Sequence, residues 1–354
     1  MADPTSSVKV VEVCQVALPP PPSPRSFASP SSFPLTFFDI RWLRFAPVQC
    51  LYFYEMPTSS ATQLFFDTVL APKLKTSLFN TLQHYLPLAG HLTWPQNSQK
   101  PVLSYVQGDT FSLTIAESGI TVFPNCGLLI GTSMHHAILY GKTSTLFAKS
   151  WAHNCKHGEQ STSMLLDHLK QFYDIRDGPN NRSLMFWEKK APPGSIRGTF
   201  PITTADIETP RQLLKAKLAE QKQQDIRLVH VPTFTLASLF GDDGLVVAVN
   251  ANSEAIRRLE KGVLDGAENW VSRVFAVSSE KMLMLAGSHR SGVYESDFGR
   301  GRPKKVEIVS IDRARAISFS DPETDAGVVD VGLVLDKHNM QVSASLFAKG
   351  LENP

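Results

Sequence analysis

His135 and His136 lie between an apolar run, Gly127-Leu128-Leu129-Ile130-Gly131, and a helical pattern from Thr143 to Trp151. An imidazole with an ordinary pKa of about 6.5 takes up and returns a proton near neutral pH, which is the work of a general acid–base catalyst. The apolar run reads as a buried strand. The stretch after it reads as a helix that Thr143 or Ser144 can cap through its hydroxyl. A histidine where a strand ends and a helix begins stands at the mouth of a sheet, where α/β proteins bind ligands. A plainer reading also fits: two loop histidines, one hydrogen-bonded and one in water. No metal is expected, because Tyr140 is a poor zinc ligand and no other Cys or His pair is read as having ligand spacing.

A second chemistry-bearing stretch is the turn-rich loop Asp297-Phe298-Gly299-Arg300-Gly301-Arg302-Pro303. From Arg300 through Gly301, Arg302, Pro303 and Lys304 to Lys305 it also matches an AT-hook, whose Arg-Gly-Arg-Pro core lies in an A/T minor groove. Asp297 can serve the chemistry or simply cap its own turn.

The surrounding elements follow from periodicity. A Pro/Ser-rich lead-in runs from Ala17 to Ser32, followed by an apolar docking segment from Phe33 to Trp42. Leu51 to Glu55 reads as a strand. A helix opened by Pro72 repeats Leu74, Leu78, Leu82 and Tyr85, and Gly90 can stop it. Pro101 to Ile115 reads as a hairpin turning at Gly108-Asp109. A polar loop runs from Asp174 to Asn181. The Pro-Gly segment from Lys190 to Ser195 marks a domain boundary. Beyond it come a strand near Phe200, a helix from Ala205 to Gln224 and a short strand from Leu245 to Val249. A helix from Glu254 to Val274 and strands at Val306 to Ser310 and Val328 to Leu335 complete the pattern. The expected domains are 1–189, a crossover linker at 190–199, and 200–354.

A chain of 354 residues with 42% hydrophobic content can build two domains with a sizeable core. The net charge of +2 creates no global field towards nucleic acid or a membrane. Four scattered cysteines point to a reducing compartment. No apolar run has the length to cross a bilayer and no secretory leader is read, so a cytoplasmic protein is expected.

The chain resembles the plant BAHD acyltransferases, in the branch that acylates anthocyanins and phenolic glucosides. Thr36-Phe37-Phe38-Asp39-Ile40 with Trp42-Leu43, Tyr85-Leu86-Pro87-Leu88-Ala89-Gly90-His91-Leu92, Asn180-Asn181-Arg182-Ser183-Leu184 and the Ser345 to Glu352 end are similar to that branch. Its two motifs are present in altered form. The His-x-x-x-Asp-Gly motif reads His136 to Gly141 with Tyr140 in place of Asp. The Asp-Phe-Gly-Trp-Gly motif reads Asp297, Phe298, Gly299, Arg300, Gly301. The resemblance also implies that the chain is shortened by roughly a hundred residues, near Ser118 to Thr121 and near Thr233 to Ser238.

That resemblance implies an α/β fold of two chloramphenicol-acetyltransferase-like sheet-and-helix domains, incomplete here, with an active-site channel between them. It implies CoA-dependent O-acylation of a sugar hydroxyl on a flavonoid or phenolic glucoside, with His136 as general base and Asp297 in support. No cofactor is bound permanently; malonyl-CoA or hydroxycinnamoyl-CoA is the co-substrate, and Arg302, Lys304 and Lys305 can face its phosphates. Small molecules, rather than nucleic acid or a membrane, are the expected partners of a monomer. Loss of the motif Asp and of the missing segments makes a catalytically impaired remnant the alternative.

Overall fold

The computed structural model describes residues 9–17, 31–57, 63–96, 101–117, 127–139, 141–158, 193–220, 244–259, 284–288, 291–314, 316–320 and 328–352, with 262, 269 and 276. The first half contains β1 (Lys9–Ala17), β2 (Ser31–Pro34), α1 (Phe37–Arg41), β3 (Val48–Glu55), α2 (Gln63–Phe65), α3 (Ala71–Leu82), β4 (His91–Thr93), β5 (Val102–Tyr105), β6 (Thr110–Glu117), β7 (Gly127–Met134) and α4 (Lys142–His157). The second contains β8 (Ser195–Ile202), α5 (Thr204–Glu220), α6 (Gly244–Leu259), β9 (Met284–Ala286), β10 (Lys305–Ile308), α7 (Ile311–Ala314), β11 (Ala316–Ser320), β12 (Val329–Asp336) and α8 (Lys337–Glu352).

The main core forms where α3 and α4 cover the antiparallel sheet β10-β3-β7. Leu74, Leu78 and Leu82 repeat every four residues and are all buried, so one stripe of α3 faces inward. On α4 the same spacing brings Phe147, Trp151 and Cys155 to the core. Polar side chains fix how the two helices meet. Asn154 donates to the Thr81 hydroxyl at 2.9 Å, and the Trp151 indole N–H donates to the Leu74 carbonyl at 3.2 Å and the Ser77 hydroxyl at 3.1 Å. Their partners satisfy these buried groups, so the contact costs little desolvation and sets one register.

A smaller sheet, β2-β5-β4, and a two-stranded ribbon, β1-β6, flank this core. In the second half, α8 packs on the sheet β8-β12-β11-β9, in which β11 and β9 run parallel. The two halves are joined directly. Strand β10 pairs with β3, Lys305 opposite Phe53. Arg197 on β8 donates to Asp312 at 2.7 Å and to the Ile308 carbonyl at 2.9 Å, and also pairs with Glu307. These charge-assisted bonds hold the second sheet against β10.

Several sequence expectations change. The two strands expected from Pro101 to Ile115 exist, with a turn closed by Asp109, which accepts from the Val106 N–H at 2.8 Å. They do not form a hairpin, because β2 and β4 already occupy both edges of β5, and β6 pairs with β1 instead. Leu245 to Val249 is helical, the first turns of α6, with Val246 buried and Leu245 exposed. Ile256 on that helix is 64% exposed, so it does not share a buried face with its neighbours. The part of the expected helix beyond Leu259 lies almost wholly outside the described residues, as do the Asp174 to Asn181 loop and both expected gaps. Strand β8 starts at Ser195, within the stretch read as linker.

Gly90 does not stop α3, which ends at Leu82. It allows a close approach instead: a Cβ there would meet the Ser104 backbone oxygen at 2.7 Å. Among the described residues no helix is long and apolar enough to cross a membrane.

Candidate active site

Strand β7 alternates rather than being buried throughout. Ile130 and Met134 face the core and Leu129 is 40% exposed, as expected when helices cover one face of a sheet. The strand delivers His135 and His136 just past Met134, which is opposite Val48 at the start of β3. A tight turn follows: the Ile138 and Leu139 N–H groups donate to the His135 carbonyl at 2.9 and 3.2 Å. His135 Nδ1 accepts from the Ala137 N–H at 3.2 Å, which turns that ring back onto its own loop. Burial lowers the pKa of His135, and a backbone hydrogen bond at Leu43 opposes the shift.

His136 has a different environment. Trp42 stacks on its ring, with centroids 4.2 Å apart and planes 27° off parallel, and Phe45 approaches edge-on at 5.9 Å. Burial among these rings lowers its pKa to about 4; its own backbone opposes the shift and His135 adds to it. Its Nδ1 is buried without a hydrogen-bond partner among the described residues. Trp42 is in place because it ends α1. Thr36 opens that helix with a capping box: its hydroxyl accepts from the Asp39 N–H at 3.3 Å, and the Asp39 carboxylate accepts from the Thr36 N–H at 2.7 Å.

Gly141, with φ of 41°, is the N-cap of α4. Neither Thr143 nor Ser144 caps the helix. Ser144 instead donates its hydroxyl proton to the Gly141 carbonyl at 2.8 Å. Tyr140 lies outside the described residues.

The Asp297 loop sits at the other end of α4. Its carboxylate Oδ1 accepts from the N–H groups of Gly299, Arg300 and Gly301 at 2.8, 3.0 and 2.9 Å, and its Oδ2 pairs with Lys156 at 2.7 Å. Partial burial raises the Asp297 pKa, but Lys156 and the N–H groups of Gly299 and Arg300 outweigh it and hold the carboxyl below its usual value. The loop closes this tightly because Gly299 and Gly301 adopt φ of 86° and 88°, where a side chain is strained. Phe298 is buried against Tyr54 and Trp151, and the Tyr54 hydroxyl donates to the Ser296 carbonyl at 2.6 Å. Arg300 lies over the Phe65 ring at 4.4 Å.

The structure therefore separates His136 from Asp297. Fourteen residues of α4 between Lys142 and Lys156 span about 21 Å, and Asp297 is tied to the far end. Arg302, Lys304 and Lys305 are also remote from His136. Lys304 donates its backbone N–H to the Phe53 carbonyl at 2.7 Å, Lys305 pairs with Glu307 at 2.7 Å, and Arg302 is exposed. The stretch resembling an AT-hook thus runs into a strand instead of forming a free arm. Sequence reasoning missed Phe45 and Lys156. A lysine four turns along the helix after the His motif was the available signal for the latter.

Replacing Asp297 with Asn is expected to cost about 1 kcal/mol, because the acceptor oxygen stays and the partly exposed ion pair is worth little. Asp297→Ala leaves three N–H groups without their acceptor and is expected to cost about 2–4 kcal/mol. Urea denaturation of both variants measures the difference. Equal losses would show that the Lys156 charge, rather than the loop hydrogen bonds, carries the stability. Since folding lowers this pKa, the stabilisation is complete above the ordinary value of 3.8 and is lost as pH falls through the lower folded value.

Solved structures share this fold. Vinorine synthase superposes on 95% of this chain and 96% of its own, with a TM-score of 0.65 at 14% identity. The TRI101 protein of F. sporotrichioides, solved with coenzyme A and T-2, gives 0.56 at 12% identity over 88% of this chain and 96% of its own. A family model described as "Transferase family" matches residues 20–118.

The chain belongs to the BAHD family of acyltransferases. Phenolic glucoside malonyltransferase 2 of Arabidopsis thaliana is 30% identical over 98% of this chain and 100% of its own length. The malonyl-CoA:anthocyanidin 5-O-glucoside-6''-O-malonyltransferase of the same plant is also 30% identical, over 98% and 99%. Phenolic glucoside malonyltransferase 1 is 29% identical in an alignment of 468 positions. That exceeds the 354 residues of this chain, so the alignment crosses gaps in it.

Proposed function

We propose that this protein transfers a malonyl or hydroxycinnamoyl group from the CoA thioester to a sugar hydroxyl of a flavonoid or phenolic glucoside, with His136 as general base. One observation carries the reading: a partly buried imidazole at the end of β7, packed against Trp42 and Phe45 and kept neutral by burial. His136 takes the proton of the acceptor hydroxyl as the oxygen attacks the thioester carbonyl. The tetrahedral intermediate then collapses, breaks the C–S bond and expels the thiolate, which receives the proton from His136. Thiolate is a good leaving group, so no covalent enzyme intermediate is needed.

A base of pKa about 4 is wholly in its accepting form at neutral pH but is a weak acceptor. The oxyanion that develops as the hydroxyl attacks the thioester lies beside the ring and stabilises the imidazolium as it forms. We place Asp297 as a supporting residue of its loop, and Arg302, Lys304 and Lys305 as contacts for the phosphate end of the co-substrate. Their distance from His136 suits an elongated molecule with its thioester at one end and its phosphates at the other. The boundary near 190 divides the chain, with β10 returning to the first half.

A second reading, a remnant without turnover, is favoured by the gaps in the alignment with the malonyltransferases. Incubating the purified protein with malonyl-CoA and a phenolic glucoside, and following both free thiol and product mass, separates the two. Coupled release of CoA and malonyl-glucoside supports the enzyme. Acceptor-independent or absent thiol release supports the remnant.

A further inference from the structure

The last two turns of α4 carry His153 and His157, which no step above uses. They are four residues apart and therefore share one face of the helix. Both side chains are exposed, and their ring centroids are 4.6 Å apart with planes 39° off parallel. We propose that His153 and His157 form a two-histidine site for a divalent transition-metal ion of the Cu(II) or Ni(II) class. This inference stands apart from the acyl-transfer reading and does not depend on it.

The separation suits one shared ion. With metal–nitrogen bonds of about 2.1 Å, two imidazoles on one ion have centroids roughly 4.6–5.3 Å apart, so small rotations of these exposed rings suffice to bring a nitrogen of each onto one ion. A nitrogen site ranks Cu(II) above Ni(II) and Zn(II) in affinity. Sequence reasoning passed over this pair, but on a helix two histidines at this spacing share one face, as in zinc-binding helices. Among the described residues no group of three or more His, Cys, Asp and Glu assembles, so water completes the coordination shell and the ion stays exchangeable. Nearby cations do not oppose it strongly. Lys149, one turn earlier on the same face, pairs with Glu295, and Lys156 pairs with Asp297. An ion bridging His153 and His157 would staple the turn that presents Lys156 to the Asp297 loop.

The test is a Cu(II) titration at pH 7.5 of the full chain and of His153→Ala, His157→Ala and His338→Ala variants. Electron paramagnetic resonance reports the nitrogen ligands, and Ni(II)-dependent thermal melts give a second readout. One high-affinity equivalent with two nitrogen ligands is expected in the wild-type protein. Loss of either α4 histidine is expected to weaken it at least about tenfold, because the second imidazole binds as an intramolecular partner. His338→Ala, which alters another exposed histidine, should change nothing. Ni(II) should raise the melting midpoint by about 5 °C, reversibly with chelator, and lose that effect in His157→Ala. A wild-type affinity retained in His157→Ala, or no binding at millimolar metal, overturns the proposal.

Discussion

His136→Ala is expected to lower acyl transfer by about two to four orders of magnitude, the usual worth of a positioned general base. The loss should fall on kcat, because the imidazole acts on the reacting proton more than on ground-state binding. His135→Ala should cost much less, since its Nδ1 is engaged by the Ala137 N–H and its role is to hold the turn. The fold should survive both changes, since neither histidine is fully buried. Stopped assays with malonyl-CoA, alongside circular dichroism of each variant, separate chemistry from folding. Equal losses in the two variants would remove the distinction on which the assignment rests.

Phe298→Ala is expected to act in the opposite way, on stability before chemistry. The ring is 2% exposed and meets Tyr54 and Trp151 edge-on, at centroid distances of 5.8 and 5.0 Å. Removing a buried phenyl ring costs about 3–5 kcal/mol, equivalent to a fall of roughly 4–7 °C in Tm for a chain of this size. Phe298→Leu keeps most of the volume and should cost under about 1.5 kcal/mol. Activity should then follow the folded fraction, with kcat per folded molecule nearly unchanged. A large kcat loss in a fully folded Phe298→Leu protein would instead place this loop in the chemistry.

Local features were readable in the sequence. The strand before His136 and the helix after it follow from their apolar spacing, and the Asp297 loop follows from its Gly and Pro residues. The N-terminal signature was recognisable, but its physical meaning was not: Thr36 and Asp39 cap a helix whose end stacks Trp42 on His136. That contact joins segments far apart in the chain, and neither segment's periodicity encodes it. Strand β10 was foreseen as a strand, yet its partner β3 lies across the expected domain boundary. Edge availability is a tertiary property, so the order β2-β5-β4 defeated the hairpin reading of Pro101 to Ile115. At Leu245 to Val249 a β-branched run was read as a strand, but it forms the first turns of a sixteen-residue helix, tertiary context overriding its β propensity.

The pH dependence of kcat/KM reports the ionisation of the base in the free enzyme, and so of His136. Burial lowers the His136 pKa from 6.5 to about 4. The base form is therefore intact above that value and is lost only as pH falls through it. Between pH 6.5 and about 4 the unfolded chain binds a proton that folded His136 does not, so stability declines through the same window. A parallel denaturation series must therefore establish that the protein remains folded at each pH. The account predicts a kcat/KM that is flat from pH 7 to about 5 and half-lost near pH 4. In Trp42→Ala, which opens the ring to water, the inflection should move up towards 6.5. An inflection near 6.5 in the unmodified enzyme, unchanged by removing Trp42, would contradict it.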